Sequence, residues 1–218
     1  MKVTVYSIKG GAGKTPIAVN LALEMGWALG TNEPDNLLEH IFADDMLLEK
    51  QAEEEFPLLP PEISCVFDLA GHISQSAAPS IVSAITQSDV VVIPIHNEGK
   101  SLLKGCQTIM QVQALNKPIL IAATKLEKGK GEMFKDWTDS RDCKNIHEYI
   151  KARTGLDLPI VPLKFSKAYD RIFEDDCSLS DITANNPLLR HAFKEVADQF
   201  QVLIKTVKKF EGKAANAA

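Results

Sequence analysis

The stretch that most constrains this chain is a glycine-rich turn between an apolar run and a helical pattern. It reads VTVYSIKGGAGKTPIAVNLAL and spans residues 3–23. The apolar run at 3–8 predicts a buried strand, and the spacing of apolar residues predicts a helix over 14–25. Glycines allow the backbone N–H groups to turn toward one point, and the N-terminus of the following helix adds the positive end of its dipole. The stretch therefore predicts a strand, a phosphate-binding loop and a helix in succession.

Two side chains that follow the glycines extend this prediction. We expect Lys14 to bridge the β and γ phosphates of a nucleotide and the Thr15 hydroxyl to bind Mg²⁺. Asp68 ends the apolar run ISCVFDL at 63–69. A carboxylate at a strand end often only caps a helix, but beside a phosphate loop it also binds Mg²⁺ directly or through water. The metal-binding interpretation of Asp68 therefore depends on the loop.

Apolar runs of strand length alternate with helical periodicity along the chain, which predicts an α/β fold. The runs are continuously apolar, as expected for strands that are buried on both faces of a parallel sheet. Predicted strands lie at 3–8, 27–30, 63–69, 89–95, 118–124 and 158–163. Predicted helices lie at 14–25, 35–52, 74–87, 99–116, 144–154, 166–174 and 187–210.

Length and composition predict a single domain over residues 1–218. The chain has 218 residues and is 45% hydrophobic, enough for one core rather than two. The polar segment EKGKGEMFKDWTDSRD, residues 127–142, is expected to be a mobile loop. The 4 cysteines lie far apart without a CxxC pair, so they signal neither a zinc site nor a disulfide framework. The start of the chain lacks a leader pattern, and no apolar run approaches ~18 residues, so we expect a cytoplasmic location.

The charges are distributed unevenly between the two halves. Residues 1–100 contain 5 basic and 14 acidic side chains, whereas residues 101–218 contain 19 basic and 15 acidic ones. A basic second half is compatible with a face for nucleic acid or an acidic partner, and equally with an ordinary solvated surface.

A second lysine, Lys9, gives the loop the form KGGAGKT. Four other segments carry motifs of the same protein family as this loop. NLAL (20–23), CVFDLAG (65–71), SDVVVIPIHNEGKSL (88–102) and PIVPLKFSKAYDRIFEDDCSLSDI (159–182) extend the match over most of the chain. With these motifs the sequence resembles the ParA/MinD family of deviant Walker A ATPases, and within it the ParA-like plasmid partition and stability branch. The resemblance implies a P-loop NTPase fold with a doubly wound, mainly parallel sheet flanked by helices.

The resemblance also implies ATP and Mg²⁺ as cofactors and an ATP-dependent homodimer. In that dimer Lys9 would act in trans, on the phosphates that the other subunit holds. Pro162 would lie near the base. The implied nucleotide-binding residues are Lys9, Gly10, Gly11, Ala12, Gly13, Lys14, Thr15, Pro16 and Pro162; the metal ligands are Thr15 and Asp68; the catalytic residues are Lys9, Lys14 and Glu33.

Three segments depart from the family pattern. Where the family reads D-x-D-P-Q, this chain has Thr31 for the first aspartate, Glu33 for the second and Asp35 after Pro34. Because the second aspartate positions the attacking water in the family, we expect slow hydrolysis or a shifted water. Pro16 replaces a threonine in the first helical turn, where a proline is tolerated.

After Asp68 the sequence reads LAGH where the family has TPPG. Gly71 is expected to offer an N–H toward the γ-phosphate, and we interpret His72 as a loop residue rather than a catalytic base.

The C-terminal helix has two interpretations. Its apolar stripe consists of Leu189, Phe193, Val196, Phe200, Leu203 and Val207, and its basic end of Lys205, Lys208 and Lys209. Docking on the sheet is favoured over membrane binding, because no flexible linker precedes the helix. Nonspecific DNA binding stays open through Lys164, Lys167, Arg171, Arg190 and the lysine-rich tail.

The expected function is that of a ParA-like ATPase in DNA or plasmid partition, with a DNA-binding adaptor protein as partner and a place on the nucleoid. One alternative is a low-hydrolysis adaptor in plasmid conjugation or DNA transfer, which the altered 31–35 segment favours. Another is a MinD-like positioning ATPase at the membrane. A metabolic enzyme of the same superfamily, similar to dethiobiotin synthetase, is disfavoured by Lys9.

Overall fold

The computed structural model describes residues 1–33, 36–71 and 78–211. The described strands form one seven-stranded sheet in the order β3-β2-β4-β1-β5-β6-β7, and every neighbouring pair is parallel. The strands are β1 Lys2–Val5, β2 Ala28–Thr31, β3 Leu47–Glu49, β4 Cys65–Asp68, β5 Val90–Ile95, β6 Ile119–Leu126 and β7 Ile160–Lys164. This confirms the predicted α/β class with a parallel sheet.

Helices cover both faces of the sheet, so the sheet is doubly wound. They are α1 Lys14–Met25, α2 Asn36–Ile41, α3 Ala78–Gln87, α4 Gly99–Ala114, α5 Arg141–Thr154, α6 Ala168–Glu174, α7 Leu179–Asn185 and α8 Pro187–Lys208. One core lies under α1, α2, α6, α7 and α8, and the other under α3, α4 and α5. Alternate residues of each strand enter the two cores: Val3 and Val5 lie in the first, while Val91 and Ile93 lie in the second.

The register brings the carboxyl ends of the central strands together. Asp68 pairs with Val5 of β1 on one side and with Thr31 of β2 on the other. The central strand β1 has β4 and β5 as neighbours, so the chain reverses its winding direction beside the glycine loop. In open α/β sheets this reversal leaves a crevice at the carboxyl ends of the strands, where ligands bind.

Helix α1 begins and ends where the sequence predicts. Its N-cap Gly13 and C-cap Gly26 both have left-handed backbones, with φ of 92° and 61°. Glycine adopts this conformation without the steric cost that a Cβ imposes. Pro16 lies in the first turn, where its missing N–H would have no intrahelical partner.

The predicted helix over 35–52 is wrong for most of its length. The structure has the short α2, a 3₁₀ turn at Asp44–Met46, and then the three-residue β3. Leu47, Leu48 and Glu49 pair with β2, and each is only partly buried. Pairing with the sheet edge outweighs the local helical spacing, because strand formation depends on neighbours that lie elsewhere in the sequence.

Helix α7 is an element that the periodicity analysis missed. Its N-cap Ser178 accepts a hydrogen bond from the Asp181 N–H at 3.1 Å and donates one to the Asp181 carboxylate at 2.7 Å. The sequence S-x-x-D at 178–181 is the capping signature that would have predicted this start.

The segment 127–142 contains a 3₁₀ turn at Trp137–Asp139 and the first residues of α5. Its mobility stays a prediction. The predicted helix over 74–87 begins at Ala78 in the structure, and residues 74–77 lie outside the described ranges.

Candidate functional site

The glycine loop after β1 forms an open cradle of backbone donors. Gly11 and Gly13 have left-handed backbones, with φ of 70° and 92°, and a Cβ at either position would be strained. The N–H groups of Gly10, Gly11, Ala12 and Gly13 donate to no described residue. Successive free N–H groups at a helix N-terminus form an anion-binding concavity. The geometry is therefore that of a phosphate site, as the sequence predicts.

Lys14 lies directly after this cradle and is buried, with an exposed fraction of 8%. Its ammonium borders Gly71, where an added Cβ would come within 3.2 Å of Lys14 Nζ and 2.8 Å of the Ser7 carbonyl oxygen. The structure thus brings Lys14 and Gly71 together, two residues that the sequence analysis assigns separately to the γ-phosphate. The N–H of Gly71 donates to no described residue.

Asp68 and Thr15 form the candidate metal site. Asp68 is 4% exposed, and its Oδ1 is buried without a hydrogen-bond partner among the described residues. Burial raises the pKa of the carboxyl to about 6, Thr15 and Lys14 lower it, and Glu33 raises it. A buried carboxylate oxygen without a partner, next to a hydroxyl, fits Mg²⁺, which prefers hard oxygen ligands. These two residues therefore fit the predicted cofactor.

Lys9 lies at the rim of the loop rather than in it. Its Nζ donates to the Gly10 carbonyl oxygen at 2.9 Å, and the side chain is partly exposed. Glu98, in the turn before α4, is close enough to Lys9 that this cation lowers the pKa of the Glu98 carboxyl, after the larger effect of the His96 hydrogen bond. The side chain of Lys9 is therefore partly exposed at the rim of the loop, in contrast to buried Lys14.

Thr31, at the end of β2, and Glu33, two residues later, differ in burial. Thr31 is fully buried at the strand end, and its Oγ1 accepts a hydrogen bond from the Glu33 N–H at 3.1 Å. Glu33 is exposed, yet its charge still raises the pKa of Asp68. Glu33 is therefore near the site but is not packed into it. Pro34, Asp35 and His72 lie outside the described residues.

Asn32 lies between Thr31 and Glu33, at the position that the family pattern D-x-D-P-Q leaves unspecified. It is 4% exposed, and both ends of its amide make hydrogen bonds. The residues next to Asn32 in the sequence do not indicate these hydrogen bonds, because the partners lie more than thirty positions away in the chain.

A cleft of about 180 Å³ opens beside the loop. One wall is formed by the loop and the start of α1, and the other by the end of β7 and by α6. The lining residues are Ala12, Gly13, Pro16, Ile17, Thr124, Lys125, Leu163, Phe165, Ser166, Tyr169 and Asp170. The mainly apolar lining suits a flat base next to the phosphates. Pro162 is buried in the middle of β7 and does not line the cleft; the residues that follow it do.

Two contacts from the end of β6 hold the loop, and the sequence did not predict them. Thr124 Oγ1 donates to the Ala12 carbonyl oxygen at 3.1 Å, and Lys125 Nζ donates to the Gly11 carbonyl oxygen at 2.8 Å. Lys125 has a φ of 53°, an uncommon backbone for a residue with a side chain, beside an irregularity in the β6–β7 pairing. Strained positions of this kind occur most often at functional sites.

The cations of the predicted DNA face are mostly engaged within the chain. Lys164 pairs with Glu195. Arg171 pairs with Glu174 of the same helix and with Asp175, which caps the end of that helix. Arg190 donates to the Thr183 and Ala184 carbonyl oxygens at 2.9 and 2.8 Å. Lys167 makes no ion pair among the described residues.

The apolar stripe of α8 is docked on the sheet. Val196, Phe200, Leu203 and Val207 are fully buried, and Leu189 and Phe193 are packed against the same core. A search of the described helices finds none whose length and hydropathy would let it cross a membrane.

Comparison with known proteins identifies relatives by structure only. No protein-family model matches the chain, and a search of curated proteins finds no match either. Apo McdA from Cyanothece superimposes with a TM-score of 0.64 and 17% identity, covering 97% of this chain and 99% of that one. MinD from Pyrococcus horikoshii in complex with Mg-ADP gives 0.63 and 13%, covering 100% and 98%.

A third similar structure is a plasmid partition protein from Borrelia burgdorferi bound to AMPPNP. It gives a TM-score of 0.58 and 17% identity, and covers 94% of this chain and 98% of that one. At these identities the likeness concerns the fold. The chain therefore has the fold of the McdA, plasmid partition and MinD proteins, and the resemblance to the ParA/MinD ATPases that its sequence predicts is confirmed at that level.

Proposed function

We propose that this protein is a Mg²⁺-dependent ATPase of the ParA type, which dimerises with ATP and acts in the partition or stability of DNA such as a plasmid. The observation that supports nucleotide binding best is the convergence of three groups on one point. These are the N–H groups of the loop, the ammonium of Lys14 and the Oδ1 of Asp68; the loop N–H groups and this Oδ1 have no partner among the described residues. The likeness to structures determined with AMPPNP and Mg-ADP supports the same ligands.

In this proposal each residue has a defined task. The loop N–H groups and Lys14 hold the β and γ phosphates, and Thr15 and Asp68 hold Mg²⁺, which supplies charge neutralisation at the transferring phosphate. The N–H of Gly71 faces the γ-phosphate. Lys9 of a second copy approaches the same phosphates when two subunits face each other, so that binding and dimerisation are linked.

The experiment that tests nucleotide binding is calorimetry of ATP with Mg²⁺ on the parent, Lys14→Ala and Lys130→Ala. Lys130 is exposed and makes no hydrogen bond or ion pair among the described residues, so it is the matched control. Removal of the charged donor costs about 1.5–3 kcal/mol for one hydrogen bond to a charged group, so Lys14→Ala should bind at least about tenfold more weakly. Equal affinity of the parent and Lys14→Ala would reject the proposal.

The low-hydrolysis adaptor in conjugation or DNA transfer is a second candidate, because one observation favours it. The position of the family's first aspartate is filled by the buried hydroxyl of Thr31, and Glu33 is exposed. ATP turnover separates the two: a rate that stays at the uncatalysed level while ATP binds tightly supports the adaptor. A MinD-like membrane role has less support, because the stripe of α8 is buried in the core. We place the protein in the cytoplasm, on the nucleoid when DNA is bound, with a DNA-binding adaptor protein as partner.

A further inference from the structure

Asn32 connects the end of β2 to the segment that follows Asp68. Its Oδ1 accepts a hydrogen bond from the Ala70 N–H at 2.6 Å, and its Nδ2 donates to Ser80 Oγ at 2.8 Å. The backbone N–H of Ala70 can only donate, so the amide oxygen must face it and the orientation of the amide is fixed. With an exposed fraction of 4%, Asn32 makes these bonds away from competing water.

The contact with Ser80 extends into α3. Ser80 is fully buried, and its Oγ donates in turn to the Ala52 carbonyl oxygen at 2.8 Å. Ser83, one turn further along the helix, donates to the Ser80 carbonyl oxygen and accepts from the Phe56 N–H at 2.9 Å. Asn32 is therefore the point at which β2, the segment after β4 and α3 are joined by hydrogen bonds.

The segment that Asn32 holds contacts the phosphate loop on its other side. Gly71 follows Ala70 directly and packs so closely that a Cβ would come within 2.8 Å of the Ser7 carbonyl oxygen. The Gly71 N–H has no partner among the described residues, whereas the Ala70 N–H is fully engaged by Asn32. Only the φ and ψ angles of Ala70 separate its N–H from that of Gly71, so the bond between Asn32 and Ala70 limits how far Gly71 can move from the phosphate loop.

We propose that Asn32 is a positioning residue for the γ-phosphate: by holding the Ala70 amide it keeps Gly71 beside Lys14, where the Gly71 N–H binds the γ-phosphate, and so favours a nucleoside triphosphate over a diphosphate. This inference rests on the proposed nucleotide-binding function. The amide of Asn32 positions Gly71 and is uncharged. A carboxylate at position 32 would add a negative charge near those of Asp68 and Glu33, which already interact. In this proposal only the γ-phosphate reaches Gly71, so the binding of a diphosphate is independent of Asn32.

The test measures the ratio of the dissociation constants of ADP and of a nonhydrolysable ATP analogue, both with Mg²⁺, by calorimetry. Asn32→Leu has a similar volume and neither hydrogen bond. We expect it to lower the preference for the triphosphate about tenfold, the effect of one unsatisfied buried donor, with ADP affinity changed by less than about twofold. Asn97→Leu, which removes an exposed amide bonded to Asp142, is the control and should keep the parental ratio.

A purely structural role for Asn32 gives a different result, in which both affinities fall by the same factor; that outcome overturns the proposal. Ser80→Ala is the second variant, should Asn32→Leu fail to fold. It keeps the Ala70 bond and frees the other end of the amide, and we expect about a threefold loss of triphosphate preference. An unchanged ratio in Ser80→Ala also overturns the proposal. If the parent binds neither nucleotide, the proposed function itself fails.

Discussion

At the scale of single residues, Asp68 is a buried carboxyl whose ionisation the fold disfavours. Burial penalises its ionised form and raises its pKa from 3.8 to about 6, although Thr15 and Lys14 favour the ionised form. The folded protein therefore binds more protons than the unfolded chain between these two values. Without a bound metal, its stability should fall as pH rises through this window.

The variant Asp68→Asn tests this sign. The amide has no charge to desolvate, so its stability should not decline between pH 4 and 6, and at pH 7 the metal-free variant should be more stable than the parent by roughly 2–3 kcal/mol, at about 1.4 kcal/mol per pKa unit. Urea unfolding across this pH range, without nucleotide or metal, measures the difference. Asp44→Asn, at an exposed position, should follow the parental profile. Parallel profiles for the parent and Asp68→Asn would show that the carboxyl is not perturbed.

The residues of the site differ in how far the sequence predicts them. Lys14, Thr15 and Asp68 follow from local motifs, because a strand, a glycine loop and a helix fix their positions relative to the phosphates. Asn32 and Lys125 do not follow, because their roles arise from contacts with Ala70 and Gly11 that are distant in the sequence. A single sequence has no local pattern for contacts of this kind.

At the scale of elements, long and strongly periodic segments were predictable and short ones were not. The bounds of α1 match the prediction, and those of α4 and α8 differ from it by two residues at one end. The strand β3 has three partly exposed residues, and its apolar spacing alone does not distinguish it from a helix. Its conformation is determined by the free edge of β2, which becomes available only when the sheet forms.

The packing between β2 and the layer under α3 depends on Gly30. A Cβ at this position would lie 2.7 Å from Phe67 Cδ1 and 3.3 Å from Phe56 Cε1. These two rings pack edge to face at 5.0 Å between centroids, and both are buried. Gly30→Ala should therefore destabilise the fold by about 1–3 kcal/mol through overpacking.

Denaturant unfolding of Gly30→Ala and Gly99→Ala measures this effect. An added Cβ at Gly99, at the start of α4, meets nothing within 4 Å, so Gly99→Ala should be neutral or slightly stabilising. Equal midpoints for both variants would mean that the two rings move aside without cost.

At the scale of the whole molecule, the partly exposed position of Lys9 at the rim of the loop separates nucleotide binding from assembly. In the proposed function, the loop amides and Lys14 of one copy are sufficient to hold ATP. Two triphosphates that face each other across a dimer bring several negative charges together, and a cation from each side is needed to offset their repulsion. Lys9→Ala should therefore bind ATP nearly as well as the parent and remain a monomer.

Analytical ultracentrifugation with a nonhydrolysable ATP analogue measures this outcome, with Lys130→Ala as a control that should dimerise. Dimerisation is a better measurement than turnover here, because the exposed Glu33 predicts slow hydrolysis in the parent. A Lys9→Ala protein that dimerises like the parent would exclude Lys9 as the coupling residue.

The ion pairs in the basic second half of the chain predict which of its cations contribute most to DNA binding. Binding to random duplex should require ATP and weaken steeply with salt, because phosphate contacts release counterions. Lys167, which makes no ion pair with a described residue, should contribute more than Arg171, whose guanidinium is held by Glu174 and Asp175. We expect Lys167→Ala to reduce the salt slope by about 1 and Arg171→Ala to reduce it less. Fluorescence anisotropy over a KCl series compares them; a flat response in the parent would retire DNA binding.

The two tethers from β6 to the glycine loop have a consequence for synthesis of the chain. Thr124 and Lys125 contact residues that are 112 and 114 positions earlier, so the loop emerges from the ribosome long before the groups that hold it. A nascent chain that ends before β6 has every motif residue of the loop but not its supports. If the loop binds a nucleotide as proposed, capture is thus expected only late in translation, when more than half of the chain has been made.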